Sequence, residues 1–483
     1  MTLMGVLLAA CTAAPLDIPV GESVTPAELP AGEDATTPPT GAIRVVVPDE
    51  PSRWWPPGPL DTAAGDLAAI WGLPLLRVDE SGQIRQGLVA DWTVGPGDQG
   101  WLVRLELRAG EWTDGTAVTA ADVVASLEAA QGREPTTFAP LRTVAADGDE
   151  VVLGFDAVYD GWPDLLVEVG SMLPAAVLDA GGETDPTAVT GGWFQLVEHE
   201  PGLRARFVAH DASPLGAPGV AELEVFFSPR YDTALAMLGD GRADVVAGYL
   251  ALNAVARAED IEGVTAAEPL GGTTVGVQFR DDGGYGGDRE AQARRWIGAN
   301  IDLGELLDGM LDTAGAPAST PWAGVARPSE PEDGAIAPGR EFVMVVPTSS
   351  EVLAFAGRAI ERDLSSRDLS TDLVSEPAPR FVEAARTERD AVLLARRTTR
   401  RPPLSRDVVV GDLESTWAGQ AAGWPSAAAS DAMDNTTWAA HFVPLFRIGV
   451  LHAWTADVEG VRPSAWSGAG FWDVGTWTVR TGE

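Results

Sequence analysis

Four arginines gathered within six residues form the segment with the clearest binding chemistry in the sequence. They are Arg396, Arg397, Arg400 and Arg401, and they flank Thr398 and Thr399. A guanidinium group is planar and can bind a carboxylate or a phosphate through two parallel hydrogen bonds, so the segment is a candidate anion-binding site. The alternative is a solvated loop whose arginines pair with surface acids, because the chain holds 71 Asp and Glu residues.

Two pairs of tryptophans are the next candidates for ligand contact. Trp54 and Trp55 are adjacent in a Pro-rich loop, and Trp417 and Trp424 stand in a stretch rich in Ala, Gly and Ser. Indole rings offer a large apolar face together with one hydrogen-bond donor, which suits a sugar or an apolar ligand. Core packing or anchoring of a loop is the alternative for each of the four residues. We expect an exposed loop at Trp54 and Trp55, where ligand contact and packing are equally favoured.

Residues that carry enzyme chemistry are missing or scattered. The histidines have no metal-binding spacing; they are His199, His210, His441 and His452. The lone cysteine, Cys11, lies in an apolar N-terminal run, and no G-x-S-x-G segment surrounds a serine. All 33 basic residues are arginine, which excludes a Walker lysine and a Schiff-base lysine. We therefore expect no enzyme activity, no catalytic residues, no metal site and no cofactor.

Length and composition predict a folded, soluble protein of two or three domains. The chain has 483 residues, 45% of them hydrophobic, and a formal net charge of −38. Such a charge is repelled by the phosphates of nucleic acid and by anionic lipid, so we expect neither as a direct partner.

The stretch from Leu88 to Leu127 shows the most regular local pattern. Apolar and polar residues alternate from Trp101 to Leu107, as in a half-buried strand, and Asp114-Gly115 is a turn signal. Thr119 followed by Asp122 predicts the start of a helix. The residues alone therefore predict a hairpin that leads into a helix.

The order of residues in this stretch resembles the signature of the family 5 solute-binding proteins of ABC importers, an L-A-x-x-W strand followed by L-R-x-G and D-G-T-x-x-T-A-x-D-V. The matching residues are Leu88, Ala90, Trp92, Leu107, Arg108, Gly110, Trp112, Asp114, Gly115, Thr116, Thr119, Ala120, Asp122 and Val123. The resemblance implies an α/β, two-lobed periplasmic-binding-protein fold (class II) with an extra subdomain, mixed sheets and a hinge. It implies no ligand contact for these residues, which we expect to build the subdomain.

The resemblance also implies an order of domains along the chain. Lobe I is expected from residues 42–70, 185–265 and 446–483, the extra subdomain from 71–184, and lobe II from 266–445. Phe442 to Phe446 resembles the strand that returns to lobe I. Residues 1–11 resemble a lipoprotein signal that ends at the lipidated Cys11, although a basic start is missing and we expect the natural start to lie upstream. Residues 12–41 have the composition of a disordered tether.

The arginine segment departs from the family pattern at one informative position. Peptide-binding relatives hold the ligand's ammonium group with an Asp of lobe II, and the corresponding residue here is Thr399. Arginines at this place repel an ammonium group, so we expect a neutral or anionic ligand.

The family resemblance thus predicts a lipid-anchored, extracytoplasmic, monomeric protein that carries a small-molecule or peptide ligand to ABC permease subunits. The alternative is a non-transporting envelope protein of the same fold with a signalling or structural role. An acidic secreted hydrolase is a third possibility, but the sequence contains no set of catalytic residues that supports it.

Overall fold

The computed structural model describes the chain in ranges separated by gaps. The described residues are 39–51, 54, 62–97, 100–133, 135, 137–179, 189–269, 273–279, 296–298, 300–302, 306, 315–317, 341–377, 380–381, 390–397, 442–465 and 470–480. The predicted signal with Cys11, and residues 12–38 of the predicted tether, lie outside these ranges.

Helices in the described part are short and alternate with strands. They are α1 (Thr62–Trp71), α2 (Ala120–Arg133), α3 (Trp162–Glu168), α4 (Ala175–Asp179), α5 (Tyr231–Gly239), α6 (Ala254–Glu259) and α7 (Glu351–Ser365), with a 3-10 turn at Val474–Thr476. Helix α5 begins at Tyr231, and α7 begins at Glu351 after the N-cap Ser350.

A seven-stranded sheet, here sheet I, is built from three separate parts of the chain. Across the sheet the strands are β10 (Phe194–Glu200), β11 (Arg204–Ala209), β12 (Glu222–Phe227), β1 (Ala42–Val47), β13 (Val245–Tyr249), β21 (Leu451–Thr455) and β14 (Val264–Ala267). Strand β1 pairs in parallel with both β12 and β13. Val45 and Val46 point to opposite faces and are both fully buried, as expected for a central parallel strand covered on two sides.

A six-stranded sheet, sheet II, forms the second large core. Its strands in order are β16 (Gly315–Pro317), β20 (Phe442–Ile448), β15 (Thr273–Phe279), β19 (Ala391–Arg397), β17 (Phe342–Pro347) and β18 (Thr371–Glu376). Strand β17 is parallel to β18 and β19, whereas β15 is antiparallel to β19 and β20. Helix α7 covers β17 and buries Val352, Ala356 and Ile360, which recur at the helical period.

The position of β20 corrects the prediction that Phe442 to Phe446 returns to lobe I. The strand belongs to sheet II, where it pairs with β15, and Phe446 and Ile448 are buried in that core. The chain crosses to sheet I only at Gly449, which lies against Glu268 of the outgoing crossing. A Cβ at Gly449 would be 2.7 Å from the carbonyl oxygen of Glu268, so the two crossings run side by side.

The predicted hairpin and helix are confirmed. The hairpin forms two strands of a four-stranded antiparallel sheet, sheet III, and the helix is α2. The strands of sheet III are β5 (Val89–Gly97), β6 (Gly100–Leu107), β8 (Glu150–Phe155) and β7 (Leu141–Asp147). Two-residue and three-residue strands pair beside it, namely β2 (Leu73–Pro74) with β9 (Ser171–Met172) and β3 (Leu76–Val78) with β4 (Ile84–Gln86). The turn before α2 uses Gly115 at φ 81°, a conformation that costs glycine no steric clash.

The carboxylate of Asp122 holds the start of α2 to the rest of the subdomain. Its Oδ2 accepts hydrogen bonds from the backbone N–H and hydroxyl of Thr119 at 2.9 and 2.8 Å and from Trp112 Nε1 at 3.3 Å. Its Oδ1 accepts from the backbone N–H of Ala175 at 2.8 Å, where α4 begins. In the capping contact Thr119 is thus the donor and Asp122 the acceptor. The single buried side chain of Asp122 connects α2, α4 and Trp112.

The last described segment closes the core of sheet I. Phe471, Val474 and Trp477 are buried there, and β22 (Val458–Glu459) pairs with β23 (Thr478–Val479). Asp473 lies among these rings and accepts hydrogen bonds from Trp477 Nε1 at 3.1 Å and Arg462 Nε at 2.9 Å. Burial raises the pKa of Asp473 to about 6, although Arg462 opposes this effect.

Asp122→Asn is expected to destabilise the protein by about 2 kcal/mol, because an amide NH₂ replaces one of two buried acceptor oxygens. Urea unfolding followed by tryptophan fluorescence measures the change. Glu128→Gln is the matched control, since Glu128 is exposed on the same helix. Equal stability of the Asp122 and Glu128 variants would contradict the role assigned to Asp122.

Asp473 is expected to make folding less favourable as pH rises from 4 to 7. The folded-state pKa of Asp473 is above the unfolded value of 3.8, so the unfolded chain loses this proton at a lower pH than the folded protein does. The stability that protonated Asp473 contributes is therefore lost as pH rises through about 6. The resulting decrease in the free energy of unfolding reaches about 3 kcal/mol. Comparison of urea unfolding for wild type and Asp473→Asn at pH 4, 5, 6 and 7 isolates this contribution. A difference between the two proteins that does not change with pH would refute it.

Candidate functional site

The carboxyl ends of parallel strands mark one edge on each large sheet. In sheet I this edge holds the residues that follow Val47, Phe227 and Tyr249, and in sheet II those that follow Pro347 and Arg397. Ligands of open α/β sheets bind outside such edges, where successive loops diverge and leave a crevice. These edges are therefore where a ligand site is expected.

The loops that follow the two edges contact one another. Ser349 Oγ, after β17, donates a hydrogen bond of 2.5 Å to Asp49 Oδ2, after β1. The backbone carbonyl of Leu250, after β13, accepts from Ser350 Oγ and from Val352 N–H, each at 3.3 Å. The carboxyl edge of sheet I therefore lies across from that of sheet II.

An arginine bridges the two sides at the start of α7. Arg257 Nη1 donates to Glu351 Oε2 at 2.7 Å and to the carbonyl of Leu252 at 3.0 Å, while its Nη2 donates to Asp232 Oδ1 at 2.5 Å. The guanidinium carbon is 4.6 Å from the ring centre of Tyr231. One side chain of the sheet I side thus holds both an acid of α5 and the first residue of the helix that covers sheet II.

Two buried tyrosines shape the sheet I edge behind this bridge. Tyr231 Oη donates to the carbonyl of Ala254 at 2.6 Å, and Tyr249 Oη donates to that of Ser228 at 2.5 Å. Burial raises the pKa of both phenols, so they remain neutral hydrogen-bond donors at physiological pH. They position the loop from Leu250 to Ala254, which reaches the other sheet.

The predicted arginines Arg396 and Arg397 lie at the carboxyl end of β19, on the cleft edge of sheet II. In the strand register Arg396 stands opposite Thr274 of β15, and Thr274 stands opposite Arg447 of β20. The fold therefore brings Arg447 into one row with Arg396, although the two residues are 51 positions apart in the chain. Sequence reasoning missed Arg447, whose signal is a lone charge in the apolar strand FVPLFRI.

Trp54 corrects the expectation of an exposed loop. Its ring is 6% exposed and packs edge-on against His199 at 5.2 Å and Phe207 at 6.1 Å between ring centres. The carboxylate of Glu50 anchors the same loop. Its Oε1 is 2.5 Å from His199 Nε2, and its Oε2 accepts a hydrogen bond of 2.7 Å from the backbone N–H of Gly202. The loop is thus anchored to sheet I, and ligand contact by Trp54 stays a prediction. Trp55, Thr399, Arg400, Trp417 and Trp424 lie outside the described residues.

Searches for a membrane helix and a metal centre were negative within the described ranges. No helix there has the length and apolar character to cross a bilayer. Nor do those ranges contain three or more His, Cys, Asp or Glu side chains grouped to hold a metal ion.

Comparison with protein families decides the classification. The model of the bacterial extracellular solute-binding proteins, family 5 (middle region), matches residues 83–336, more than half of the 483 residues. The chain belongs to this family. No curated protein matched the chain. A solute-binding protein of this family has two lobes, and sheets I and II are the cores of these lobes.

Solved structures share the fold of this solute-binding protein at low sequence identity. The oligopeptide-binding protein AppA from Bacillus subtilis, in complex with a nonapeptide, is 15% identical with a TM-score of 0.72, covering 92% of this chain and 100% of its own. AgaA from A. tumefaciens R10, in complex with agropinic acid, is 16% identical with a TM-score of 0.72 and coverages of 92% and 99%. NikA from Staphylococcus aureus, in complex with Ni(L-His)2, is 13% identical with a TM-score of 0.71 and coverages of 91% and 100%.

Arg257→Met is expected to loosen the contact between the lobes of this solute-binding protein. The pair with Glu351 is partly exposed, so its loss costs about 1 kcal/mol. The amide protons of Leu252 and Val352, which bond across the contact, should exchange about fivefold faster. Hydrogen exchange with mass spectrometry measures this change. Arg242→Met, which removes an exposed pair with Asp240, is the control, and equal exchange in both variants would contradict the bridge.

Proposed function

We propose that the protein is the extracytoplasmic receptor of an ABC importer, which captures a small solute between its two lobes and delivers it to permease subunits. The observation that carries this proposal is the opposition of two carboxyl edges, joined by Asp49 with Ser349 and by Arg257 with Glu351. Chain crossings beside Glu268 and Gly449 connect the lobes at one side, which suits closure by a hinge.

The ligand of this receptor is neutral or anionic. Arg396 and Arg397 at the sheet II edge, together with Arg447 in the adjoining row, support this choice of ligand. Because the chain as a whole carries a net charge of −38, a row of arginines on a cleft edge departs from the surrounding charge. A ligand carboxylate or phosphate gains charge-assisted hydrogen bonds from guanidinium groups, whereas a free ammonium group is repelled. Thr399, Arg400, Trp55, Trp417 and Trp424 complete the proposed ligand contacts.

The receptor is held at the cell membrane through lipid on Cys11. The run Leu8-Ala9-Ala10-Cys11 supports this assignment, and residues 12–41 serve as the tether between lipid and lobes. The folded part acts as a monomer, and no cofactor takes part in binding.

A non-transporting envelope protein of the same fold is the second candidate function. The observation that favours it is Thr399 at the position where peptide-binding relatives carry the acidic anchor. The two functions differ in ligand binding, since a receptor is stabilised by its solute through mass action.

N-acetylated dipeptides are expected to raise the thermal unfolding temperature more than the same dipeptides with free amines. The reason is that the arginine row repels an ammonium group and attracts the remaining carboxylate. Replacing both Arg396 and Arg397 with Gln should raise the ligand concentration needed for the same stabilisation at least tenfold. This corresponds to a loss of about 1.4 kcal/mol in binding free energy. Arg358→Gln, exposed on α7 of the same lobe, is the control. A preference for the free amine would sink the ligand assignment.

Cys11→Ala, made in the full-length gene, is expected to release the protein from the membrane fraction. One lost diacylglyceryl group removes the whole apolar contribution of the anchor, and the charge of −38 offers no attraction to anionic lipid. Immunoblotting of membrane and soluble fractions measures the shift. Retention of the variant in washed membranes would exclude lipid on Cys11 as the anchor.

A further inference from the structure

A cavity of about 110 Å³ lies where the subdomain meets the sheet I lobe, apart from the arginine row of sheet II. Its wall is largely apolar, with Ala69 of α1, Val167 of α3 and Leu215 among the lining residues. Trp193 and Trp472 are also part of the wall, and among the described lining residues the one charged side chain is Arg77. A small apolar chamber with a single cation is unusual, because buried charges are normally paired.

The hydrogen bonds of Arg77 leave its charge poorly compensated. The residue is 8% exposed, and its guanidinium carbon is 4.4 Å from the ring centre of Trp193. Its Nε and Nη2 donate to the carbonyl of Gln86 at 3.3 and 3.2 Å, and its Nη1 donates to the carbonyl of Trp472 at 3.2 Å. These bonds are at the long end of the usual range, use three of five N–H groups, and involve neutral acceptors.

The surroundings of Arg77 carry an excess of positive charge. Arg108 and Arg462 are near enough to disfavour its charged form, and Asp473 attracts it from a distance. Both oxygens of Asp473 are already bonded, one by Arg462 and one by Trp477. Within the described ranges no carboxylate contacts Arg77. Asp473, the acid that favours the charge of Arg77, is thus already engaged by Arg462 and Trp477.

We propose that this cavity binds a small aliphatic monocarboxylate, such as acetate or propionate, whose carboxylate pairs with Arg77. Two N–H groups of Arg77 are left for it, one on each terminal nitrogen, which matches the two oxygens of a carboxylate. The alkyl group packs against Ala69, Val167 and Leu215. A cavity of about 150 Å³ holds benzene, with six non-hydrogen atoms, so about 110 Å³ holds four or five, the size of acetate or propionate.

Thermal unfolding in sodium propionate tests the proposal, with sodium chloride at equal ionic strength and propionamide as reference solutes. Wild type is expected to show a saturable rise, about 1.5 °C at ten times the dissociation constant. Arg77→Met should abolish the rise. Ala69→Leu should abolish it as well by filling the cavity while Arg77 stays in place. A crystal grown with propionate should show its carboxylate at Arg77.

Two further variants separate this site from other effects. Ala121→Leu makes the same substitution at an exposed position of α2 and should keep the propionate response. Arg358→Gln, which removes an exposed arginine of α7 in the other lobe, should also keep it. An equal rise with chloride or propionamide, a response retained in both Arg77→Met and Ala69→Leu, or water alone at Arg77 in the crystal would each overturn the proposal.

Discussion

Parallel strand pairing is the constraint on which the arrangement of this protein depends. Because β1 runs parallel to β12 and β13, the loops that follow all three leave sheet I at the same edge. The same holds in sheet II for β17, β18 and β19. Hydrogen bonds across the cleft, from Ser349 to Asp49 and from Ser350 to Leu250, then bring these two edges together. The proposed site is thus a product of strand direction, which places the strand ends and the loops that follow them at one edge of each sheet.

Charge is distributed unevenly on this frame. The chain carries a net charge of −38, and several described arginines pair with acids, as Arg204 does with Glu200 and Glu224 on sheet I. Arg77 departs from this pattern because it is buried against carbonyls and an indole ring. Arg396 and Arg447 stand in one strand row at the cleft edge of sheet II. These arginines are where we propose that an anion from outside binds this acidic protein.

Local sequence patterns predicted the elements well where short-range rules apply. The alternation from Trp101 to Leu107 and the turn at Asp114-Gly115 appear in the fold as predicted, since the period of a strand and the φ freedom of glycine are local properties. Trp54 was harder to place. A tryptophan in a Pro-rich loop gives no sign of the pocket that receives it, and this pocket is made by His199 and Phe207 some 150 residues later.

By itself, the sequence determined the family and the two-lobed α/β fold through its resemblance to the family signature, and it determined the hairpin and helix around Trp101 through hydrophobic period and turn residues. Only the tertiary structure decided that β20 belongs to sheet II, because an apolar strand fits either sheet until its neighbours are known. The same is true of the partnership of Asp49 with Ser349, 300 positions apart, and of the cavity beside Arg77. Contacts of this kind depend on how whole surfaces pack, and no short segment of the chain contains that information.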